Sequence, residues 1–185
     1  MKIAILVGST RPGRKGTEVA RWILERASQR DDAEFEIVEL ADFDLPLLCE
    51  PTIPGAAKRD YATPQTRVWS AKVDEFDGFV WVTPEYNHGV PAAMKNALDV
   101  LYPEWNHKAV GFVSYGANEG VRAVEHWRGI VANVLMVATR GQLTFSTFSE
   151  WPDGVFTPSE RREGELRNLL KQLVAMTGAV GTLRS

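Results

Sequence analysis

Lys2-Ile3-Ala4-Ile5-Leu6-Val7-Gly8-Ser9-Thr10-Arg11-Pro12-Gly13-Arg14-Lys15-Gly16-Thr17 is a short apolar run that empties into a loop of glycines, hydroxyls and three cations. A run of that length ending at glycine reads as a buried strand. After Thr17 the period changes: Val19, Trp22, Ile23 and Ala27 fall on one face of a helix. The same succession of strand, turn and helix returns along the chain. Further strand-like runs lie near residues 34–40, 77–83, 108–114 and 141–147, and helical spacing reappears at Val121, Val124, Ile130, Val131 and Val134. Thr157-Pro158-Ser159-Glu160 has the form of a capping box, with Leu166, Leu169, Leu170 and Leu173 behind it.

Five strands alternating with helices call for right-handed crossovers and a parallel sheet covered on both faces, an α/β fold of three layers. Strands 1, 3 and 4 are almost continuously apolar, whereas 35–40 and 142–146 mix in Glu36, Glu39, Gln142, Thr144 and Ser146. The mixed pair are expected at the edges, which gives the order 2-1-3-4-5 and a ligand crevice beyond the carboxyl ends of strands 1 and 3. Residues 41–64 form one long irregular stretch, broken by Pro46, Pro51, Pro54 and Pro64, in which Phe43, Leu45, Leu47, Leu48 and Ile53 are expected to be buried.

With 185 residues the chain is read as one domain, 1–185. A net charge of −3 offers no basic face for nucleic acid. Cys49 is the only cysteine, so no internal disulfide or CxxC pair exists. Gly8 and the basic loop cut the first apolar run too short for a membrane span or signal peptide, and a cytoplasmic location is expected. His88, His107 and His126 lack metal-ligand spacing, so no metal is expected.

Three loops at one end of the sheet carry the chemistry. The first, Gly8 to Thr17, suits phosphate: helix-start amides attract anions, and an arginine can grip two oxygens. It is not a P-loop, because Gly13 is followed by Arg14 and Lys15 by Gly16; nor is it a dinucleotide fingerprint, because Thr10 stands at the second glycine's place. A mononucleotide phosphate remains. The second, Thr83 to Asn96, combines Glu85, Tyr86 and Asn87 with glycine and proline, the equipment for a flat heteroaromatic ring with a polar edge. The third, Ser114 to Gly120, closes the ring of loops. The span from Gly111 to Gly116 is one residue too long for a Gly-x-Ser-x-Gly elbow, which argues against Ser114 as a hydrolase nucleophile. No side chain is assigned a catalytic role.

The segments 84–99, 8–16 and 114–123 resemble the NADPH-dependent FMN reductase family of flavodoxin-like proteins. The resemblance implies FMN as cofactor and NADPH or NADH as cosubstrate. It places the phosphate on Ser9, Arg11, Arg14, Lys15, Gly16 and Thr17, the isoalloxazine along Pro84, Glu85, Tyr86 and Asn87, and the closing segment on Ser114, Tyr115 and Gly116. Hydride would pass from nicotinamide to flavin and then to a small acceptor such as a flavin, quinone, azo compound or metal oxyanion. The alternative is a flavodoxin-like electron carrier or redox-sensing binding protein without turnover. The resemblance further implies a homodimer or homotetramer, with Trp69 or Trp105 as candidates for its contacts or for the core.

Overall fold

The structure, a computed structural model, describes residues 1–184. Five parallel strands, β1 (Lys2–Val7), β2 (Glu34–Glu39), β3 (Gly78–Pro84), β4 (Ala109–Gly116) and β5 (Val137–Ser146), lie in the order β2-β1-β3-β4-β5. Every residue of β3 is buried, whereas β2 and β5 are for the most part only partly buried. The edge assignment made from composition therefore holds.

The pleat of β1 divides the core in two. Ile3, Ile5 and Val7 face helices α1 (Gly16–Ala27) and α6 (Arg161–Gly181), meeting Val19, Ile23, Leu166 and Leu173. Ala4 and Leu6 face the other layer, built from α3 (Pro64–Asp74), α4 (Ala92–Asp99) and α5 (Val121–Asn133), with the short α2 (Pro54–Ala57) at its margin. Aromatic rings fill that layer. Trp81 lies edge-on to Trp127 at 5.0 Å and to Trp105 at 5.8 Å. Trp69 and Trp105 are both 1% exposed and donate their indole N–H to Ala97 O and Leu98 O. They belong to the core of this chain, buried and with each indole N–H satisfied inside it.

Three expectations need correction. β5 starts at Val137, four residues earlier than its pattern suggested, because Thr139 to Gly141 bulge out between the pairs Val110–Ala138 and Phe112–Gln142. The bulge breaks the alternation that marks a strand. The start of α6 is not a capping box: no side chain caps it, and the Ser159 N–H is taken instead by the buried carboxylate of Glu150, which also accepts from Arg162 Nε at 3.0 Å. In 41–64, Phe43 packs on Trp69 and Leu45 is partly buried, but Leu47 and Ile53 are 78% and 75% exposed. Asn96 pins this segment to α4 by donating to Pro46 O and accepting from Leu48 N–H, with the leucine side chains outward.

Candidate active site

The site is built where β1, β3 and β4 end side by side. Gly8 N–H donates to Val82 O, and a Cβ at Gly8 would lie 2.1 Å from Met94 Sδ, so glycine lets the first loop cross the start of α4 without displacing the Met94 side chain. Beyond it the loop turns through Gly13 (φ +68°), with open space where a side chain would stand. The Val19 N–H reaches Lys15 O, while the amides of Gly16, Thr17 and Glu18 find no backbone acceptor, as the first turn of any helix requires.

The second loop folds into a two-residue hairpin. Tyr86 and Gly89 exchange backbone hydrogen bonds at 3.1 and 3.0 Å, and Asn87 and His88 both take positive φ, the geometry of a type I′ turn. Two side chains lock it to its neighbours. Tyr86 Oη shares a 2.8 Å hydrogen bond with Ser9 Oγ of the first loop. Glu85 accepts from the Arg122 N–H at 3.0 Å and from its guanidinium at 2.8 Å, tying the hairpin to the start of α5. In the third loop the Ser114 hydroxyl donates to Glu119 O, and Gly116 O accepts from both Glu119 N–H and Thr147 N–H.

Between these loops lies a cleft of about 380 Å³. Of the residues expected from the sequence, Arg11, Arg14, Lys15, Pro84, Glu85, Tyr86, Tyr115 and Gly116 line it. Ser9, 1% exposed, sits behind the wall and steers Tyr86. Gly16 and Thr17 lie in the first turn of α1 and Asn87 at the exposed hairpin tip; none of the three lines the cleft. Ser114 is wholly buried and its hydroxyl is spent on Glu119 O, so it shapes the loop from behind. Gly13, Ala117 and Thr147 also line the cleft, though none was among the expected site residues. Thr147 follows β5 directly and belongs to a fourth loop at the same end of the sheet; its position after a parallel strand was the available signal.

The electrostatics separate the three cations. Arg14 Nε donates to Glu39 at 2.9 Å, and Lys15 Nζ stands 4.5 Å over the Trp151 ring. The Arg11 side chain is exposed and, among the described residues, makes no hydrogen bond or ion pair. Tyr115 is the other unspent group. Its hydroxyl is buried and makes no well-aligned hydrogen bond, although the Ser9 hydroxyl and the Gly16 amide lie within electrostatic reach. Burial raises its pKa far above the ordinary tyrosine value, the neighbouring Tyr86 adds to this, and Ser9 and Gly16 partly offset it. The phenol therefore stays neutral and keeps a proton that it can donate.

The profile of the NADPH-dependent FMN reductases matches residues 1–150. The chain belongs to that family. An NAD(P)H-dependent FMN reductase of Nectria sp is 33% identical to this chain, covering 93% of each. A quinone reductase of Pseudomonas putida is 35% identical over 65% of this chain and 67% of its own. Among solved structures, a flavoenzyme NAD(P)H:(acceptor) oxidoreductase from Paracoccus denitrificans superposes with a TM-score of 0.73, covering 96% and 97% of the two chains at 20% identity. That last likeness speaks to the flavodoxin-like fold of the family. Among the described residues no helix is long and apolar enough to cross a membrane.

Proposed function

We propose that the cleft beyond β1, β3 and β4 holds FMN, and that the chain uses it to carry reducing equivalents from NADPH or NADH to a small acceptor. The chain is an FMN-dependent NAD(P)H oxidoreductase by family; which residues hold the cofactor, and which acceptor it serves, are our reading. The observation that carries the reading is the meeting, at one end of the sheet, of an unpaired guanidinium at Arg11 on the cleft wall, first-turn amides of α1 without a backbone acceptor behind it, and the buried neutral phenol of Tyr115. An anion with further acceptor oxygens answers all three.

The residues fit a flavin mononucleotide. Arg11 and the first-turn amides of Gly16 and Thr17 hold the phosphate, with Ser9 setting the loop and Arg14 and Lys15 adding positive potential. Pro84, Glu85 and Tyr86 on one side, and Tyr115, Gly116 and Ala117 on the other, bound the space for the ring, with Asn87 shaping the hairpin tip and Ser114 holding the last loop in shape. FMN, when bound, supplies the capacity to accept and donate hydride. The chain's part is to orient and to exclude water: Glu85 is committed to Arg122 and Ser9 to Tyr86, so the walls arrive preorganised.

A quinone is the acceptor class we favour, on the likeness to the quinone reductase, with azo compounds, free flavin and metal oxyanions as alternatives in the same place. We also propose that residues 1–185 act as one domain, in the cytoplasm, as a homodimer or homotetramer. Exposed Leu47, Leu48 and Ile53 support self-association, Leu47 lining a recess of about 300 Å³ with Leu40, Leu45 and Ala93. The test is to reduce FMN-loaded protein anaerobically with each nucleotide and then add a quinone, an azo dye or free FMN. Reoxidation fastest with quinone is expected; reduced protein that none of them reoxidises would overturn the acceptor assignment.

A further inference from the structure

At about 380 Å³ the cleft lies at the small end of single-ligand pockets, roughly 300–1,000 Å³, and has room for one mononucleotide. Turnover brings two more flat rings to it in succession, a nicotinamide and then an acceptor. Both must be held from the rim. On the β3 side the rim carries Tyr86, 39% exposed and tethered to Ser9. On the β5 side Thr147 lines the cleft, and the next residue is Phe148.

Phe148 is 81% exposed, more than any other large hydrophobic side chain described. A single exposed apolar residue needs no special cause; what sets this one apart is the rigidity of its support beside the site. The Thr147 N–H donates to Gly116 O at 3.0 Å, the Phe148 N–H to Ser146 Oγ at 3.3 Å and the Glu150 N–H to Ser146 O at 3.0 Å. Two buried side chains then fasten the turn: the Glu150 carboxylate to Arg162, and the Trp151 indole N–H to Glu18 at 2.7 Å. Such a turn presents its ring to solvent without the entropy cost of ordering a loose loop.

We propose that Phe148 is the stacking platform for the second ring, a specificity-determining residue for the nicotinamide nucleotide and for flat aromatic acceptors. The inference rests on the reading that FMN fills the cleft. Aromatic stacking of the usual strength corresponds to an affinity change of about two- to tenfold.

The experiment compares Phe148→Ala, Phe148→Tyr and wild type, each loaded with FMN. NADP+ binding, read from the perturbed visible spectrum of the flavin, should weaken about two- to tenfold in Phe148→Ala and recover in Phe148→Tyr. KM for NADPH and for benzoquinone should rise by the same factor with kcat nearly unchanged, while KM for ferricyanide, which has no ring, and the dissociation constant of FMN stay put. Phe148→Leu, bulky but without a π face, repeats the test should the alanine variant fold poorly. Unmoved nucleotide and quinone constants would overturn the role of Phe148, as would a changed sedimentation coefficient in Phe148→Ala, which would place the ring between copies of the chain. Failure of the wild type to take up FMN would instead sink the cofactor reading on which the inference stands.

Discussion

Replacing Arg11 with alanine tests the phosphate assignment without disturbing the fold. Its guanidinium has no partner among the described residues, so its removal orphans nothing, and stability should change by no more than about 0.5 kcal/mol. If the guanidinium meets a phosphate, its loss removes a charge-assisted hydrogen bond of about 1.5–3 kcal/mol, which is a rise of about ten- to hundredfold in the FMN dissociation constant. Arg14→Ala has the opposite profile. It strips Glu39, whose side chain is only 16% exposed, of its 2.9 Å ion pair, so it should lower the urea midpoint while changing FMN affinity less than Arg11→Ala. The assay is flavin fluorescence quenching on titration of apoprotein, beside urea unfolding of the same samples. The reasoning is refuted if Arg11→Ala binds FMN like wild type, or if Arg14→Ala weakens binding more.

Other consequences are equally direct. Gly120 has φ +73°, and a Cβ there would lie 2.9 Å from Ser114 Cβ and 3.0 Å from the Tyr115 backbone, so Gly120→Ala should cost about 1–3 kcal/mol in urea unfolding and weaken FMN binding; an unchanged midpoint would contradict the geometry. Glu85→Ala removes the acceptor for the first amide turn of α5 and should cost about 1 kcal/mol, with the hairpin loosened and FMN affinity reduced in the same titration. Lys108, buried at the opposite end of the sheet with its ammonium on Val73 O, has its pKa pushed down to about 8 by desolvation. The unfolded chain therefore binds more protons than the native one between pH 8 and the ordinary lysine value of 10.5, and stability contributed by this group rises with pH through that window, by about 2 kcal/mol from pH 8 to 10. Above pH 10 the sign reverses, because burial raises the pKa of Tyr61 and Tyr115 and the native state then holds the extra protons. Urea midpoints across this range should climb and then fall, and Lys108→Met should flatten the climb.

Much of this architecture could be read from the chain because its strong signals are local. The apolar runs Ile3 to Val7 and Phe79 to Val82 are buried on both faces, and the acidic and hydroxyl residues of β2 and β5 betray edges, so strand order followed from composition. Where tertiary contacts replaced local rules, the reading failed. Glu150 satisfies the Ser159 amide from outside the helix, a pairing nine residues apart that no capping pattern encodes. Leu47 is apolar yet exposed, because Asn96 fixes the backbone on either side of it through Pro46 O and the Leu48 N–H. In the site, composition found the loops but could not apportion their side chains. Ser114 and Ser9 are both hydroxyls at strand ends, yet one is spent on Glu119 O and the other on Tyr86. The three cations of the first loop look alike in sequence, and only Glu39 and Trp151, distant along the chain, distinguish Arg14 and Lys15 from Arg11.

The central claim is that these loops bind FMN so that a nicotinamide nucleotide reduces it. Anaerobic mixing of FMN-saturated protein with NADPH, and separately with NADH, tests it in one trace. The account predicts one tightly held FMN per chain and full loss of its visible absorbance within the mixing experiment, with at least one of the two nucleotides. A flavin that washes off during gel filtration, or that stays oxidised with both nucleotides, would contradict it.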